Sequence, residues 1–173
     1  MKSPVATFAW CNDAALEELL SQMYLDNVSA DYISHSELQG PRADAPGRWR
    51  SDLADTIRAE VRAALSPDEP HALLATATVD NNIVGLAMVS LDTRRKASRA
   101  FAALDDIVLL PQLRGGGTGG QLVEWIAGQL RERGIARLFL ECGINNLPAQ
   151  GFFKSKGFQP VSVVMLRELS DPA

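Results

Sequence analysis

The sequence predicts an α/β fold with a mixed β-sheet. Apolar stretches with the period of a strand alternate with stretches whose apolar residues recur every three or four positions, as in a helix. In the middle of the chain, "DNN" at 80–82 is typical of a tight hairpin turn, so at least two of the strands are predicted to pair in an antiparallel way. The length of 173 residues suits one core, and there are no repeats or linkers, so we assign 1–173 to a single domain.

The first half of the chain predicts one strand and two helices. "VATFAW" (5–10) is the strand, and Asn12 or Asp13 caps a first helix. The apolar face of that helix would carry Leu16, Leu19, Leu20 and Met23. Segment 26–47 has no clear periodicity, so we expect a long loop that could cover a site. A second helix, ended by Pro67, is predicted from the spacing of Trp49, Leu53, Ile57, Val61 and Ala64.

The second half predicts most of the sheet. Strands 71–79 and 83–91 flank the hairpin turn, and 99–110 is a further strand. A helix over 118–133 ends at Gly134, and a buried strand over 136–142 follows. Segment 148–156 is predicted as a short helix and 158–169 as a last strand or strand pair. The predicted order is therefore β-α-α-β-β-β-α-β-α-β.

Composition narrows the class of protein. The net charge of −4 argues against a general nucleic-acid binder and fits a cationic or neutral small substrate better. Cys11 and Cys142 lie far apart without a CxxC spacing, so we expect neither a disulfide framework nor a metal site. The opening residues lack the apolar core of a signal peptide, and no stretch approaches the ~20 apolar residues of a membrane helix. We therefore expect a cytoplasmic protein with no membrane partner.

The most specific local feature is a glycine cluster between a predicted strand and a predicted helix. Bare backbone N–H groups at a helix N-terminus bind phosphate oxygens, which a Cβ would hold at a distance. The cluster comprises Gly115, Gly116, Gly117, Gly119 and Gly120. The following "GGQL" lacks the Lys-Ser/Thr pair of a Walker loop, which excludes that motif.

Two other interpretations of the cluster are open but disfavoured. Gly115, Gly117 and Gly120 spell a dinucleotide fingerprint, with Glu141 as the ribose carboxylate. That motif normally opens a doubly wound domain, whereas here antiparallel strands precede it and 53 of the 173 residues follow Gly120. A purely structural surface turn would destabilise the strand and helix without benefit.

Two motifs together resemble the GNAT acyltransferase superfamily, and its small-molecule amine acetyltransferases most. "LDDIVLLPQLRGGGTGGQLVEW" (104–125) supplies the R/Q-x-x-G-x-G/A pattern with Arg114, Gly117 and Gly119 in register. "NLPAQGFFKSKGF" (146–158) follows N-x-x-A-x-x-x-Y-x-x-x-G-F, except that Phe153 replaces the tyrosine. The resemblance covers about 102–168. It implies a mixed, mostly antiparallel seven-stranded sheet with a splayed central pair of parallel strands and four flanking helices.

The resemblance also implies acetyl-CoA as co-substrate. Backbone groups of Ile107, Val108 and Leu109 would pair with the pantetheine arm, and an N–H there would stabilise the oxyanion. The loop from Arg114 through Gly120, including Thr118, would hold the pyrophosphate. Asn146 would contact the cofactor, cap helix 148–156, or both. Phe153 would lie near the sulfur without a proton to donate.

Amine acylation requires a group that takes a proton, because only a neutral amine attacks a thioester. Asp105 and Asp106 are the candidates, on opposite faces of the strand by the period-two rule, and the resemblance favours Asp105. Both could instead be surface charges at a strand end or cation-binding groups. Tyr32 is a weak candidate for a substrate or proton-donor contact, whereas His35 and His71 are expected to be ordinary surface residues.

The sequence therefore predicts an acetyl-CoA-dependent N-acetyltransferase that acts on a primary amine of a small molecule by direct attack, without a metal. The alternative is a non-catalytic acyl-CoA-binding GNAT module acting as a sensor or interaction domain, because the tyrosine at 153 is missing. The expected partners are acetyl-CoA and a small amine, and a homodimer is among the expected assemblies. Antibiotics, polyamines, amino acids and protein amines all remain open as acceptors.

Overall fold

A computed structural model of the chain describes residues 5–93 and 99–169. Within these residues the strands are β1 (Thr7–Cys11), β2 (Ala43–Ala45), β3 (Arg48–Trp49), β4 (Ala72–Val79), β5 (Asn82–Asp92), β6 (Phe101–Leu109) and β7 (Arg137–Leu140). The α-helices are α1 (Glu17–Asn27), α2 (His35–Gln39), α3 (Leu53–Leu65), α4 (Thr118–Glu132) and α5 (Leu147–Ser155).

The main sheet is mixed, as predicted. It contains five strands in the order β1-β4-β5-β6-β7, and all its pairs are antiparallel except β6–β7. The remaining strands, β2 and β3, form a separate antiparallel pair, so the expected seven strands are divided between two sheets. Asp80 and Asn81 adopt φ values of 48° and 63° in the tight turn between β4 and β5. This left-handed turn confirms the predicted hairpin.

Helices cover both faces of the main sheet and create two cores. On one face α4 and α5 pack against β4, β5 and β6, with Leu122, Ile126 and Phe153 in the core. On the other face α1 and α3 pack against the same strands, with Leu20 and Ile57 in the core. The amphipathic spacing that predicted these helices therefore corresponds to real buried stripes.

A β-bulge interrupts β6 at Asp105. Leu104 pairs with Val89 and Asp106 pairs with Met88, so Asp105 has no partner on β5. The extra residue reverses the alternation of side chains, because Leu104 belongs to the core under α4 whereas Val108 belongs to the core under α1 and α3. Asp105 turns toward Ser90, which alternates with Met88 on the same face of β5. The expectation of opposite faces for Asp105 and Asp106 is therefore wrong, since a bulge breaks the period of two.

The parallel strands β6 and β7 separate after four residue pairs. Their pairing runs from Phe101–Arg137 to Leu104–Leu140, whereas β6 continues to Leu109. Beyond Leu104 the edge of β6 is open, which is the splayed pair that the family resemblance implies.

Two predicted segments differ from the structure. Segment 26–47 is not one long loop, because it contains α2, β2 and a short 3₁₀ turn over Ala30–Tyr32, elements too short to give a periodic signal. Segment 158–169 contains no strand, and residues 159–169 are all exposed. A strand needs a backbone partner, and the structure places none beside this segment.

Smaller differences concern single residues. Trp49 lies in β3 instead of the second helix, which begins at Leu53. Leu19 is 50% exposed and does not belong to the apolar face of α1. Asp13 caps the chain before α1, since its Oδ1 accepts from the Ala15 N–H at 3.0 Å. In the part of the chain that the structure describes, no helix is both long enough and apolar enough to cross a membrane.

Candidate active site

The opening between β6 and β7 leads into a cleft of about 1310 Å³. Most of the residues predicted for the site line it, although they come from four separate parts of the chain. These residues are Tyr32, Asp105, Asp106, Ile107, Val108, Leu109, Arg114, Gly115, Gly117, Gly119, Gly120, Asn146 and Phe153. Gly116 and Thr118 belong to the same loop but do not line the cleft, and neither do His35 and His71.

The glycine loop leaves the N-terminus of α4 uncapped. Gly117 occupies the cap position with φ of 88° and has no side chain to accept the free N–H groups of the first turn. The first N–H bonded in the helix belongs to Gln121, which donates to the Gly117 carbonyl at 3.0 Å. Gly115 also has a positive φ of 77°, and no atom lies within 4 Å of a Cβ built on either glycine. The loop therefore presents free donors beside empty space.

Gly119 and Gly120 serve a different purpose, which is close packing. A Cβ on Gly119 would lie 3.0 Å from Leu109 Cδ1, and a Cβ on Gly120 would lie 2.7 Å from Lys156 Nζ. The absence of a side chain at 120 allows the Lys156 ammonium to rest on the first turn of α4.

Lys156 is a candidate binding residue that sequence reasoning missed. It lines the cleft, and no hydrogen bond or ion pair to the described residues holds its ammonium. A cation beside a helix N-terminus is electrostatically unfavourable unless an anion lies between them. The sequence signal was present in the motif "FFKSKGF", but only the fold brings position 156 to the glycine loop.

The open edge of β6 carries two backbone groups that side chains now satisfy. The Ile107 N–H donates to the Tyr32 hydroxyl at 3.3 Å. The Leu109 carbonyl accepts from Arg114 Nε at 3.1 Å, so the Arg114 guanidinium lies at the strand edge. These are the groups at which the sequence predicted an incoming strand-like ligand.

Asp106 is the centre of a buried ion-pair network. Its side chain is fully buried, and Arg42 donates to both carboxylate oxygens, at 2.8 and 2.9 Å. The Tyr32 hydroxyl donates to the same carboxylate at 3.0 Å, and burial together with this charge holds the pKa of Tyr32 well above its usual range. Asp106 is thus engaged as a structural anion and is not a free base in this structure.

Arg42 connects this network to α2 and α3. Its guanidinium also hydrogen-bonds Glu60 and lies 3.6 Å from Glu37. Burial opposes its charge, but the neighbouring carboxylate of Asp106 and the Tyr24 hydroxyl outweigh that effect and raise the pKa of Arg42. The Arg42 guanidinium, which stays charged, therefore links segment 26–47 to Asp106 of β6.

Asp105 differs from Asp106 because none of the described cations binds it. Its carboxylate faces the cleft and accepts one hydrogen bond, from Ser90 Oγ at 3.1 Å. Asp105 is an exposed residue, but the protein around the carboxyl partly desolvates it and the Asp106 charge adds repulsion, so the pKa of Asp105 rises to about 6 despite the Ser90 bond. Such a carboxylate can accept a proton near neutral pH.

At the opposite wall, α5 carries Asn146 and Phe153. Asn146 Oδ1 accepts from the Ala149 N–H at 3.3 Å and so caps the helix, one of the two predicted roles. Its contact with a cofactor remains a prediction. Phe153 is 7% exposed and packs edge-on against Phe152 and Phe158. The ring is well fixed but offers no hydroxyl.

The loop before α2 and the first residues of that helix cover the end of β7. Glu141 accepts from the Ser36 N–H at 3.1 Å and from His35 Nδ1 at 3.3 Å. Partial burial by itself would raise the pKa of Glu141, but the hydrogen bonds from His35 and Ser36 outweigh this effect and lower the pKa. Gly143 passes so close that its Cβ would lie 2.0 Å from the Asp31 carbonyl oxygen. Glu141 therefore anchors this covering segment, which disfavours the assignment of Glu141 to a ribose hydroxyl.

Among the described residues, no group of three or more His, Cys, Asp or Glu is arranged to hold a metal ion.

Comparison with solved structures supports the same fold. The chain is similar to the aminoglycoside N-acetyltransferase AAC(6')-Iy in complex with CoA, with 18% identity, a TM-score of 0.66 and 98% of each chain covered. A possible acetyltransferase from Clostridium difficile 630 gives 13% identity and a TM-score of 0.70, covering 97% of this chain and 99% of that one. A ribosomal-protein-alanine N-acetyltransferase from Brucella melitensis biovar Abortus 2308 gives 14% identity and a TM-score of 0.65, covering 95% of this chain and 100% of that one.

The family assignment comes from the sequence as well as from the fold. No protein of curated function matches the chain. Residues 35–158, well over half of the chain, match the Acetyltransferase (GNAT) family, and this range contains the glycine loop, β6, β7 and α5. The chain therefore belongs to the GNAT family of acetyltransferases and is an acyltransferase.

Proposed function

We propose that this protein transfers the acetyl group of acetyl-CoA to a primary amine of a small molecule. One observation carries the proposal: the uncapped N-terminus of α4, the open edge of β6 and the Asp105 carboxylate all face a single cleft. A phosphate site, a site for an extended arm and a base are the three features that thioester aminolysis requires.

The cofactor's pyrophosphate would lie against the glycine loop. The free N–H groups of the first turn of α4 and the dipole of this helix favour negative charge there. Gly115 and Gly117 leave that space empty, and Lys156 adds a full positive charge beside it. Of the predicted loop residues, Gly116 and Thr118 lie outside the cleft and would contribute backbone only.

The pantetheine arm would extend the sheet along β6. To do so, it would take over the Ile107 N–H from Tyr32 and the Leu109 carbonyl from Arg114. Side chains can release such bonds more easily than a paired strand can. Arg114 would then be free to swing toward the phosphates, the role that the family resemblance predicts for it.

Asp105 would act as the general base. The acceptor ammonium gives a proton to Asp105, directly or through one water, and the neutral nitrogen attacks the thioester carbonyl carbon. The tetrahedral oxyanion would accept a hydrogen bond from a backbone N–H of β6. The C–S bond then breaks and the electron pair leaves with the CoA sulfur. The nitrogen gives up its second proton to that sulfur or to water, which leaves the neutral amide on the acceptor.

Phe153 cannot protonate the departing thiolate. The pKa of a thiol, ~8.5 in cysteine, makes the thiolate a tolerable leaving group in water. The Tyr32 hydroxyl is one alternative to the missing tyrosine, since it lines the cleft and accepts from the Ile107 N–H at the open strand edge. Release without a donor and release assisted by Tyr32 are both compatible with an active enzyme.

The acidic residues of the cleft support a cationic acceptor. Asp105, Asp106, Glu37, Glu60 and Glu141 line it, and Arg42 pairs with three of them, Glu37, Glu60 and Asp106. The other cations of the lining, Arg114 and Lys156, lie at the glycine loop, where the phosphates would bind. Small molecules with several amines, the class to which aminoglycosides and polyamines belong, match this charge.

The experiment that tests the proposal combines binding and turnover. Acetyl-CoA should raise the melting temperature in a concentration-dependent manner, and NAD should not. A panel of primary amines should then release free CoA thiol only in the presence of enzyme. Stabilisation by NAD instead of acetyl-CoA would overturn the cofactor assignment. Binding of acetyl-CoA without turnover of any amine would favour the sensor module.

A further inference from the structure

The cleft contains an apolar surface beside Asp105 to which the proposed reaction assigns no role. Phe101 and Ala103 of β6 and Phe139 of β7 form this surface, which we call the aromatic platform, and all three residues line the cleft. Neither hydrophobic core of the described chain includes them, and Phe139 is 42% exposed. Phenylalanine rings that stabilise a fold are normally buried in its core. Rings left open inside a cleft are instead available to a ligand.

The aromatic platform lies on the same face of the sheet as Asp105. Side chains two positions apart on a strand point the same way. Phe101, Ala103 and Asp105 are exposed or half-buried, whereas the two residues between them are buried in the core under α4. On β7, the two neighbours of Phe139 pack against that same core, so the Phe139 ring lies on the other face. The two rings and the candidate base are therefore side by side.

The pairing of β6 with β7 brings the rings together. Ala103 is paired with Phe139, and the Phe101 and Phe139 rings pack edge to face, with centroids 5.6 Å apart and an interplanar angle of 88°. Ala103 precedes Asp105 by two residues, about 7 Å along a strand. The small side chain of Ala103 leaves room over β6. A ligand group that lies on Ala103 therefore contacts the Phe139 ring while its other end reaches Asp105.

We propose that the aromatic platform binds an aromatic ring of the acceptor, so that the preferred acceptors are primary amines with a ring two or three methylene groups from the nitrogen. This inference rests on the proposed function and names an acceptor class for the same site. Rings in edge-to-face contact gain free energy beyond the area that they bury. Further amines elsewhere on the acceptor are compatible with this contact, because the platform takes only the ring.

Steady-state kinetics with matched amines test the assignment. We expect kcat/KM for 2-phenylethylamine to exceed that for n-butylamine, which has no ring, at least tenfold. Phe139→Ala should reduce this ratio to about threefold or less. Ile144→Ala is the matched control and should keep the ratio, because Ile144 is exposed just after β7 but does not line the cleft. A ratio near one in wild type, or the same ratio in wild type and Phe139→Ala, would overturn the inference.

A second variant adds bulk to the platform instead of removing a ring. Ala103→Leu should fill the room over β6 and lower kcat/KM for 2-phenylethylamine more than that for n-butylamine. If it lowered both equally, the ring would not lie on Ala103 and the inference would be wrong. 1,4-Diaminobutane tests whether the rings bind a second ammonium instead. If Phe139→Ala affected the diamine as much as 2-phenylethylamine, the platform would be a cation site, which contradicts the inference.

Binding to the enzyme saturated with CoA gives a measurement that does not depend on turnover. By titration calorimetry, 2-phenylethylamine should bind at least tenfold more tightly than n-butylamine, and Phe139→Ala should remove most of the difference. Ring preference in binding without acetylation of any amine would support the platform and contradict the proposed function. Acetylation of both amines without ring preference in binding or kcat/KM would overturn the platform and leave the proposed function intact.

Discussion

Asp105 and Asp106 are neighbours in sequence but have opposite electrostatic environments. Asp106 is held by Arg42, whereas Asp105 lies in the bulge and, among the described residues, is bound by the hydroxyl of Ser90. The bulge itself has no signature in the sequence, so the period-two rule placed the pair on opposite faces. The choice of Asp105 as base stays a prediction, but the raised pKa supports it.

Asp105→Asn should lower turnover by ~10²-fold or more while leaving acetyl-CoA affinity within about threefold. The wild-type rate should rise with pH through an apparent pKa near 6, because the base must be ionised, and the variant should lose that inflection. A pH–rate profile of kcat/KM measures both. An unchanged profile in the variant would assign the proton transfer to water or to another group.

The same substitution should raise stability at neutral pH. A folded-state pKa of about 6 against an ordinary 3.8 means that the folded state holds the proton more tightly than the unfolded state. Stability contributed by this group is therefore present below pH 4 and declines as pH rises through 6. Asp105→Asn should thus melt at the same or a higher temperature than wild type at pH 7. A lower melting temperature would show that the carboxylate is structurally required.

Lys156→Gln should raise the dissociation constant of CoA about tenfold, because it removes a charge-assisted contact to phosphate. Lys154→Gln is the matched control, since Lys154 is exposed in the last turn of α5, two residues before Lys156, and does not line the cleft. Titration calorimetry at two salt concentrations measures the effect, which should shrink at high salt. If the two variants lost the same CoA affinity, Lys156 would act only through the overall charge of the protein and not through a contact with phosphate.

At the scale of elements, the glycine loop can be tested without distorting the backbone. Gly117→Asn preserves the left-handed conformation better than other side chains and projects an amide into the empty space. We expect acetyl-CoA affinity to fall at least tenfold, about 1.4 kcal/mol, with little change in melting temperature. Gly116→Ala, outside the cleft and without a positive φ, is the control. If Gly117→Asn bound acetyl-CoA as tightly as wild type, the loop would have only a structural role.

The sequence predicted long periodic elements well and short or unpaired ones poorly. Helices α3 and α4 and the β4–β5 hairpin arise from local patterns that the tertiary structure keeps. The Arg42 network was not predictable, because Arg42 lies 18 positions from Tyr24 and 64 from Asp106, and only the fold joins them. The strand expected at 158–169 is absent because the described residues give this segment no backbone partner.

At the scale of the whole molecule, the parallel pair β6–β7 and the helix α4 form one functional unit. The strands separate at Leu104, the bulge turns Asp105 to the opening, and α4 begins at the far end of β6. The proposed phosphate site and the proposed base thus lie at opposite ends of one open strand edge. The fold leaves space along this edge for an extended thioester ligand.

Mass spectrometry of a panel of small primary amines incubated with acetyl-CoA and the enzyme measures acetyl transfer itself. We expect at least one polyamine-like or aminoglycoside-like acceptor to gain an acetyl group, with one CoA thiol released per product. Asp105→Asn should abolish most of that signal. A protein that acetyl-CoA stabilises against heat, yet that acetylates no amine in the panel at any pH from 6 to 9, would contradict the account.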